Sequence, residues 1–195
     1  MPGNHDDRDS LRAAFPDHGY LRQWQPFVQY VIDDHPVRLV ALDTLIPHSG
    51  AGQLCEQRLR WLDGTLLRRP GVPTIVALHH PPFASGIGHM DRMALGETQA
   101  LAAVVARHPQ VERVIAGHLH RPITVRFAGT VASTCPSSAH QLALDLAPDA
   151  ADRYILEPPG YQLHWWDGAC LVSHTAVIGD FDGPHPFRMG GEDID

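Results

Sequence analysis

Cysteine is scarce in this chain and poorly placed for covalent bracing. Cys55, Cys135 and Cys170 are an odd number and none sits in a CxxC pair, so neither a disulfide framework nor a cysteine zinc site is expected. They read as buried, reduced thiols of a cytosolic protein. No apolar run approaches the length of a membrane span, and the terminus Met1-Pro2-Gly3-Asn4-His5 lacks the basic and apolar regions that direct secretion. No dense Lys/Arg tract is present, and a formal net charge of -7 argues against a surface that grips nucleic acid by its phosphates. A GxSxG elbow and a glycine-rich GK[ST] loop are also missing. A cysteine phosphatase needs arginine six residues beyond its nucleophile, where Cys135, Cys55 and Cys170 are followed by Gln141, Trp61 and Ala176. Covalent hydrolysis through a cysteine or serine therefore falls away. A small anionic substrate stays open, because a bound metal supplies local positive charge whatever the overall balance.

The 195 residues, 44% hydrophobic and 19% charged, suffice for one globular domain with an ordinary core. Residues 37–44 form a mostly apolar run short enough for a buried strand. A helix should follow, with Cys55, Leu59, Leu62 and Leu66 on one face and Arg68-Arg69 near its negative end before Pro70. A second buried strand, residues 74–80, ends in two histidines and two prolines. A helix over 97–107 with Leu101, Val104 and Val105 inward leads to a strand over 111–116, which ends in Gly117-His118-Leu119-His120. This alternation predicts a layered α/β fold with ligand groups in loops beyond the carboxyl ends of the strands. Past residue 122 hairpin signals take over, with turns at Ala128-Gly129 and at Asp167-Gly168, the latter expected to be a two-residue turn. Residues 147–160 read as an irregular loop. The domain runs over 1–178, and 179–195, rich in Gly, Pro and Asp, reads as an irregular acidic tail.

Fourteen histidines are many for this length. In extended backbone the spacing of His118 and His120 directs both imidazoles to one side, where two nitrogens can share a metal site. Gly117 before them permits a tight turn at a strand end. Adjacent histidines in a strand point oppositely, so His79-His80 supplies one ligand at most. Asn4-His5-Asp6 has meaning only alongside the others.

Taken in order, Gly3-Asn4-His5-Asp6, His79-His80-Pro81-Pro82, Gly117-His118-Leu119-His120-Arg121 and Ala139-His140-Gln141 resemble the calcineurin-like metallophosphoesterase superfamily, nearest its bacterial class III cyclic-nucleotide phosphodiesterases and glycerophosphodiesterases. The resemblance covers essentially the whole chain, including Leu42-Asp43-Thr44, the Gln57 to Leu62 helix and Val177 to Phe181. It implies a four-layer α/β/β/α sandwich, two facing sheets flanked by helices, with a pair of divalent ions between loops at the strand ends.

By the same resemblance Asn4, His79 and His118 hold one metal and His120 belongs to the other. His79 is preferred to His80 because the family's ligand stands two residues before the proline, here Pro81. His5 becomes the catalytic histidine, with Asp6 orienting it. His140 and His80 line the substrate side, and Arg8 and Arg121 contact phosphate. Two Mn²⁺, Fe²⁺ or Zn²⁺ ions would activate a bridging hydroxide toward a small phosphodiester, foremost a 3′,5′-cyclic nucleotide. The family places an Asp-x-His and then a Gly-Asp-x-x-(Asp/Asn) motif upstream of GNHD, and neither stands there in this sequence. The expectation is therefore an N-terminally truncated form, or one with its start assigned too late, that alone holds one ion. The reduced cysteines suggest a cytoplasmic location and the resemblance a homodimer; the rival expectation is a catalytically inactive metal-binding or regulatory fragment.

Overall fold

The computed structural model describes residues 1–189 and 192–193. Its centre is a six-stranded sheet in the order β1 (Tyr30–Ile32), β2 (Arg38–Ala41), β3 (Thr74–Leu78), β4 (Val111–Ala116), β6 (Thr130–Thr134), β5 (Ile123–Phe127). β2, β3, β4 and β6 run parallel, while β1 and β5 close the two edges antiparallel. β3 is buried at every residue, as expected for a central parallel strand covered on both sides.

Two helices cover one face. α2 (Glu56–Leu67) turns Leu59, Leu62 and Leu66 onto Val40, Leu42, Val76 and Leu78, and α4 (Thr98–Val105) adds Leu101, Val104 and Val105. Cys55, expected on the same stripe, is the helix N-cap and only half-buried. The buried guanidinium of Arg38 donates to Thr65 O at 2.8 Å and pairs with Asp33, which binds the sheet edge to α2. Among the described residues no helix is long and apolar enough to cross a membrane.

The opposite face carries the hairpin β9 (Gly160–Trp166) and β10 (Leu171–Val177), in place of a complete second sheet. Gln162 Nε2 donates to Thr134 O at 3.2 Å, and Gln162 and His164 share a 400 Å³ cavity with Ile115 and Cys135 of the main sheet side. The outer side of β9 presents Tyr161, Leu163 and Trp165 to solvent.

Several expectations need correction. The Ala128-Gly129 turn has both residues at positive φ, the conformation a two-residue hairpin needs. Asp167-Gly168, however, opens a four-residue loop, because the Asp167 carboxylate accepts from Ala169 N and Cys170 N at 2.7 and 2.8 Å. Within 147–160, β8 (Tyr154–Ile155) pairs with β7 (Gln141–Leu142). In the tail, β11 (Arg188–Met189) and β12 (Glu192–Asp193) pair. The thiols are not uniformly buried either: Cys55 and Cys135 are half-buried and Cys170 is exposed. Two helices carry no apolar period: α1 (Arg8–Ala14), whose N-cap Asp7 accepts from Ser10 N at 2.8 Å, and the single turn α3 (Gly88–Asp91).

Leu62 is fully buried between α2 and the sheet, so Leu62→Ala should destabilise the chain by about 3 kcal/mol, read as a lower urea midpoint with an unchanged slope.

Candidate metal centre

The histidines collect where the parallel strands end. β3 delivers His79 and His80, β4 delivers His118 and His120, and the loop after β6 brings His140. The N-terminal turn completes the ring. Asp6 N donates to Gly3 O at 3.1 Å and Gly3 N to Asp6 Oδ2 at 2.7 Å, which folds Asn4 back over the sheet. There His79 Nε2 and Asn4 Oδ1 stand 2.8 Å apart, two possible ligand atoms side by side. A Cβ on Gly3 would stand 2.9 Å from the His79 ring, so only glycine allows this approach.

His118 lies 5.1 Å from His79 between ring centroids, and His120 lies 4.9 Å from His140. The backbone that brings them there is not the extended segment expected from the spacing. His118 and His120 have φ of 69° and 48°, the left-handed region that a residue with a Cβ rarely occupies. Leu119 between them is buried against Ile87 and Met90, and this anchor holds the strained turn.

His79 and His80 diverge. His80 is fully buried: its Nε2–H donates to Gly50 O at 3.1 Å, and its Nδ1 accepts from the Thr44 hydroxyl at 2.8 Å. His79, His80 and His118 have ligand atoms within 4.8 Å of one another, but both ring nitrogens of His80 are committed. The expected substrate-side place for His80 is thus corrected to a structural one. Gly52 makes room for it, since a Cβ there would lie 2.4 Å from the ring.

Both candidate arginines are ion-paired. Arg8 forms a two-pronged pair with the buried Asp43 carboxylate at 2.6 and 2.8 Å and donates to Leu45 O at 2.7 Å. Asp43 also accepts from Val28 N and Leu45 N. Arg121 pairs with Glu157 at 2.8 Å and donates to Leu142 O. These bonds engage Nε and Nη2 of Arg8 and Nη1 of Arg121, so each guanidinium is held in an ion pair. Asp6 serves the Gly3 turn, and among the described residues no hydrogen bond joins it to His5. Asp43 and the loop residue His48 were not singled out from sequence. An aspartate at the carboxyl end of a buried strand was the available signal for Asp43; no comparable signal marked His48.

Asn4, His5, His48, His79, His118, His120 and His140 line one cavity of 640 Å³, with Met90, Met93 and Leu142 as its apolar wall. Burial, then repulsion from the neighbouring imidazoles, pushes His79 down to about 3 and His118 down to about 4. Burial, then His140, lowers His120 as well. These rings are neutral at pH 7, with lone pairs available. His118 Nε2 and His120 Nδ1 are buried without a hydrogen-bond partner among the described residues. Unpaired neutral imidazole nitrogens beside an amide oxygen fit a borderline divalent cation.

The family model described as calcineurin-like phosphoesterase matches residues 1–122. A probable glycerophosphodiester phosphodiesterase GpdQ of Arcobacter nitrofigilis is 37% identical over 199 residues, covering 100% of this chain and 72% of that protein. A probable cyclic nucleotide phosphodiesterase of Rhodopseudomonas palustris is also 37% identical, over 94% of this chain and 67% of its own length. The 3′,5′-cyclic adenosine monophosphate phosphodiesterase CpdA of Escherichia coli K12 is 28% identical over 72% of the chain and 50% of its own length. A dimetal phosphatase from Danio rerio superposes on 90% of the chain with a TM-score of 0.58 at 16% identity, a likeness of fold.

Two outcomes follow from this geometry. The folded values of His79 and His118 lie below their ordinary 6.5, so the unfolded chain takes up more protons between pH 6.5 and about 3. The stability of the metal-free chain should be complete above 6.5 and decline as the pH falls through that window, less steeply in His79→Gln; urea midpoints recorded across it provide the check. Asp43→Ala leaves a guanidinium and two backbone N–H groups unpaired and should cost about 3–5 kcal/mol by the same measurement.

Proposed function

From the premise that the chain belongs to the calcineurin-like phosphoesterase family, we propose that it hydrolyses phosphodiesters at a centre built on Asn4, His79, His118 and His120. The observation that carries this reading is the convergence of Asn4 Oδ1, His79 Nε2 and two unpartnered imidazole nitrogens on one cavity. Asn4, His79 and His118 hold one ion, and His120 contributes to a second. Bound divalent cations supply positive charge against the phosphoryl oxygens and lower the pKa of water toward neutrality.

The protein's own groups do the rest. Low proton affinity keeps His79, His118 and His120 as lone-pair donors at neutral pH, and the Gly3 turn sets the Asn4 oxygen among them. His5 is exposed on the cleft wall, where a ring N–H can be given to the departing ester oxygen. His140, packed edge-on to both His120 and Tyr154, lines the substrate side. Met90, Met93 and Leu142 keep water from one flank of the cleft and accept an apolar ester arm. A 3′,5′-cyclic nucleotide is the foremost substrate in this reading, supported by the relatives named for that activity; glycerophosphodiesters are the neighbouring class.

Equilibrium dialysis against Mn²⁺ and hydrolysis of bis(p-nitrophenyl) phosphate test the centre. His118→Ala should weaken metal binding at least about tenfold and abolish the Mn²⁺-dependent release of p-nitrophenol. Equal metal uptake by both proteins would overturn the ligand set, and uptake without turnover at any Mn²⁺ concentration would overturn the enzymatic reading.

A further inference from the structure

The His-lined cavity has a neighbour. A second cavity, of 660 Å³, opens on the other side of the N-terminal turn, walled by Asp6, Asp7 and Leu45. The two share Asn4, His5 and His48. Asn4 and His5 belong to the centre already described. His48 comes from the loop after β2, which no motif marks.

Three observations set His48 apart from ordinary loop residues. Among the described residues it is one of five non-glycine residues at positive φ, and three of the five, His48, His118 and His120, are histidines of this one cleft. Gly50 and Gly52 follow it, so residues that take such a conformation at no cost are at hand, yet the histidine occupies φ 60°. The loop is held from beneath: buried His80 fixes Gly50 O, a Leu45–Gly52 bridge closes the base, and Ser49 N donates to Ile46 O at 3.2 Å. A non-glycine residue kept in a costly conformation by such overdetermined surroundings points to a use for its side chain.

We propose that His48 is a substrate-contacting residue that selects phosphodiesters, lining with Asn4 and His5 the junction of the two cavities. This rests on the reading of the centre given above. An open-chain diester, of the glycerophosphodiester class, has two separate ester arms, and a phosphorus held near Asn4 and His5 sends one arm into each cavity, whereas the two ester oxygens of a cyclic nucleotide share one ring and stay on one side. The second arm must pass His48, whose imidazole offers a donor or an acceptor to an ester or phosphoryl oxygen. A monoester has one arm and fills one cavity only.

The test compares bis(p-nitrophenyl) phosphate with p-nitrophenyl phosphate on the full chain with Mn²⁺, for wild type, His48→Gly and His48→Asn. In His48→Gly, KM for the diester should rise about tenfold with kcat within about twofold, both constants for the monoester should stay within about twofold, and the melting temperature should not fall. His48→Asn, which keeps a polar group and tolerates left-handed backbone, should recover part of the loss. Equal changes for both esters, or none, would overturn the assignment. If wild type hydrolyses neither ester, the reading of the centre fails, and calorimetric titration with diphenyl phosphate then tests His48 by itself. Weaker binding in His48→Gly upholds the subsite; equal affinity, or no binding to wild type, overturns it.

Discussion

A carboxylate with no access to water joins the parts of this molecule that must keep their distances. Asp43 stands just past β2, takes both prongs of Arg8, and accepts two backbone N–H groups, while Arg58 of α2 donates to its carbonyl at 2.9 Å. Phe27 lies against both guanidinium groups, with Arg58 Cζ 4.5 Å from its ring centroid. Arg8 begins α1, and the preceding turn carries Asn4 and His5. The contact between Asn4 and His79, 75 residues apart, therefore depends on an ion pair on the far side of that turn. A buried pair of this kind is poor as a source of stability but strict in geometry, since Leu45 O, Arg58 and two backbone N–H groups fix both charges in place.

The sequence disclosed the helix-and-strand core because its apolar spacing is regular. Leu59, Leu62 and Leu66, or Leu101, Val104 and Val105, bury as their spacing requires. α1 escaped notice because Leu11 is the only large apolar residue in RDSLRAA; its place is set by the Asp7 cap, by Arg8, and by Arg12, which donates to Leu21 O, Pro26 O and Phe27 O. Charged residues were the least legible. Arg8 and Arg121 look alike on paper to any phosphate-binding arginine, and their partners Asp43 and Glu157 lie 35 and 36 residues away. The opposed directions of His79 and His80 were readable from strand geometry. The left-handed turn at His118 and His120 was not, because it depends on the burial of Leu119.

Strain and burial act together on these imidazoles. Crowding neutral rings is cheap at pH 7 and costly in acid, where each proton taken up would meet another cation in a partly dry cavity. The same crowding leaves His118 Nε2 and His120 Nδ1 buried without a hydrogen-bond partner among the described residues. Those unpartnered nitrogens make the cavity receptive to a cation rather than simply polar.

The loop closed by the Leu45–Gly52 bridge separates two kinds of evolutionary freedom. At its base, Gly52 admits no side chain and Gly50 O is tied to His80, so change there would disturb the ring beside His79 and His118. At its apex, Pro47 and His48 are exposed on the cavity rim and bear none of that packing. Descendants of this sequence can therefore rewrite the apex by single substitutions without disturbing the histidine cradle beneath it, a division that lets preference drift among related ligands while the chemistry below is inherited intact.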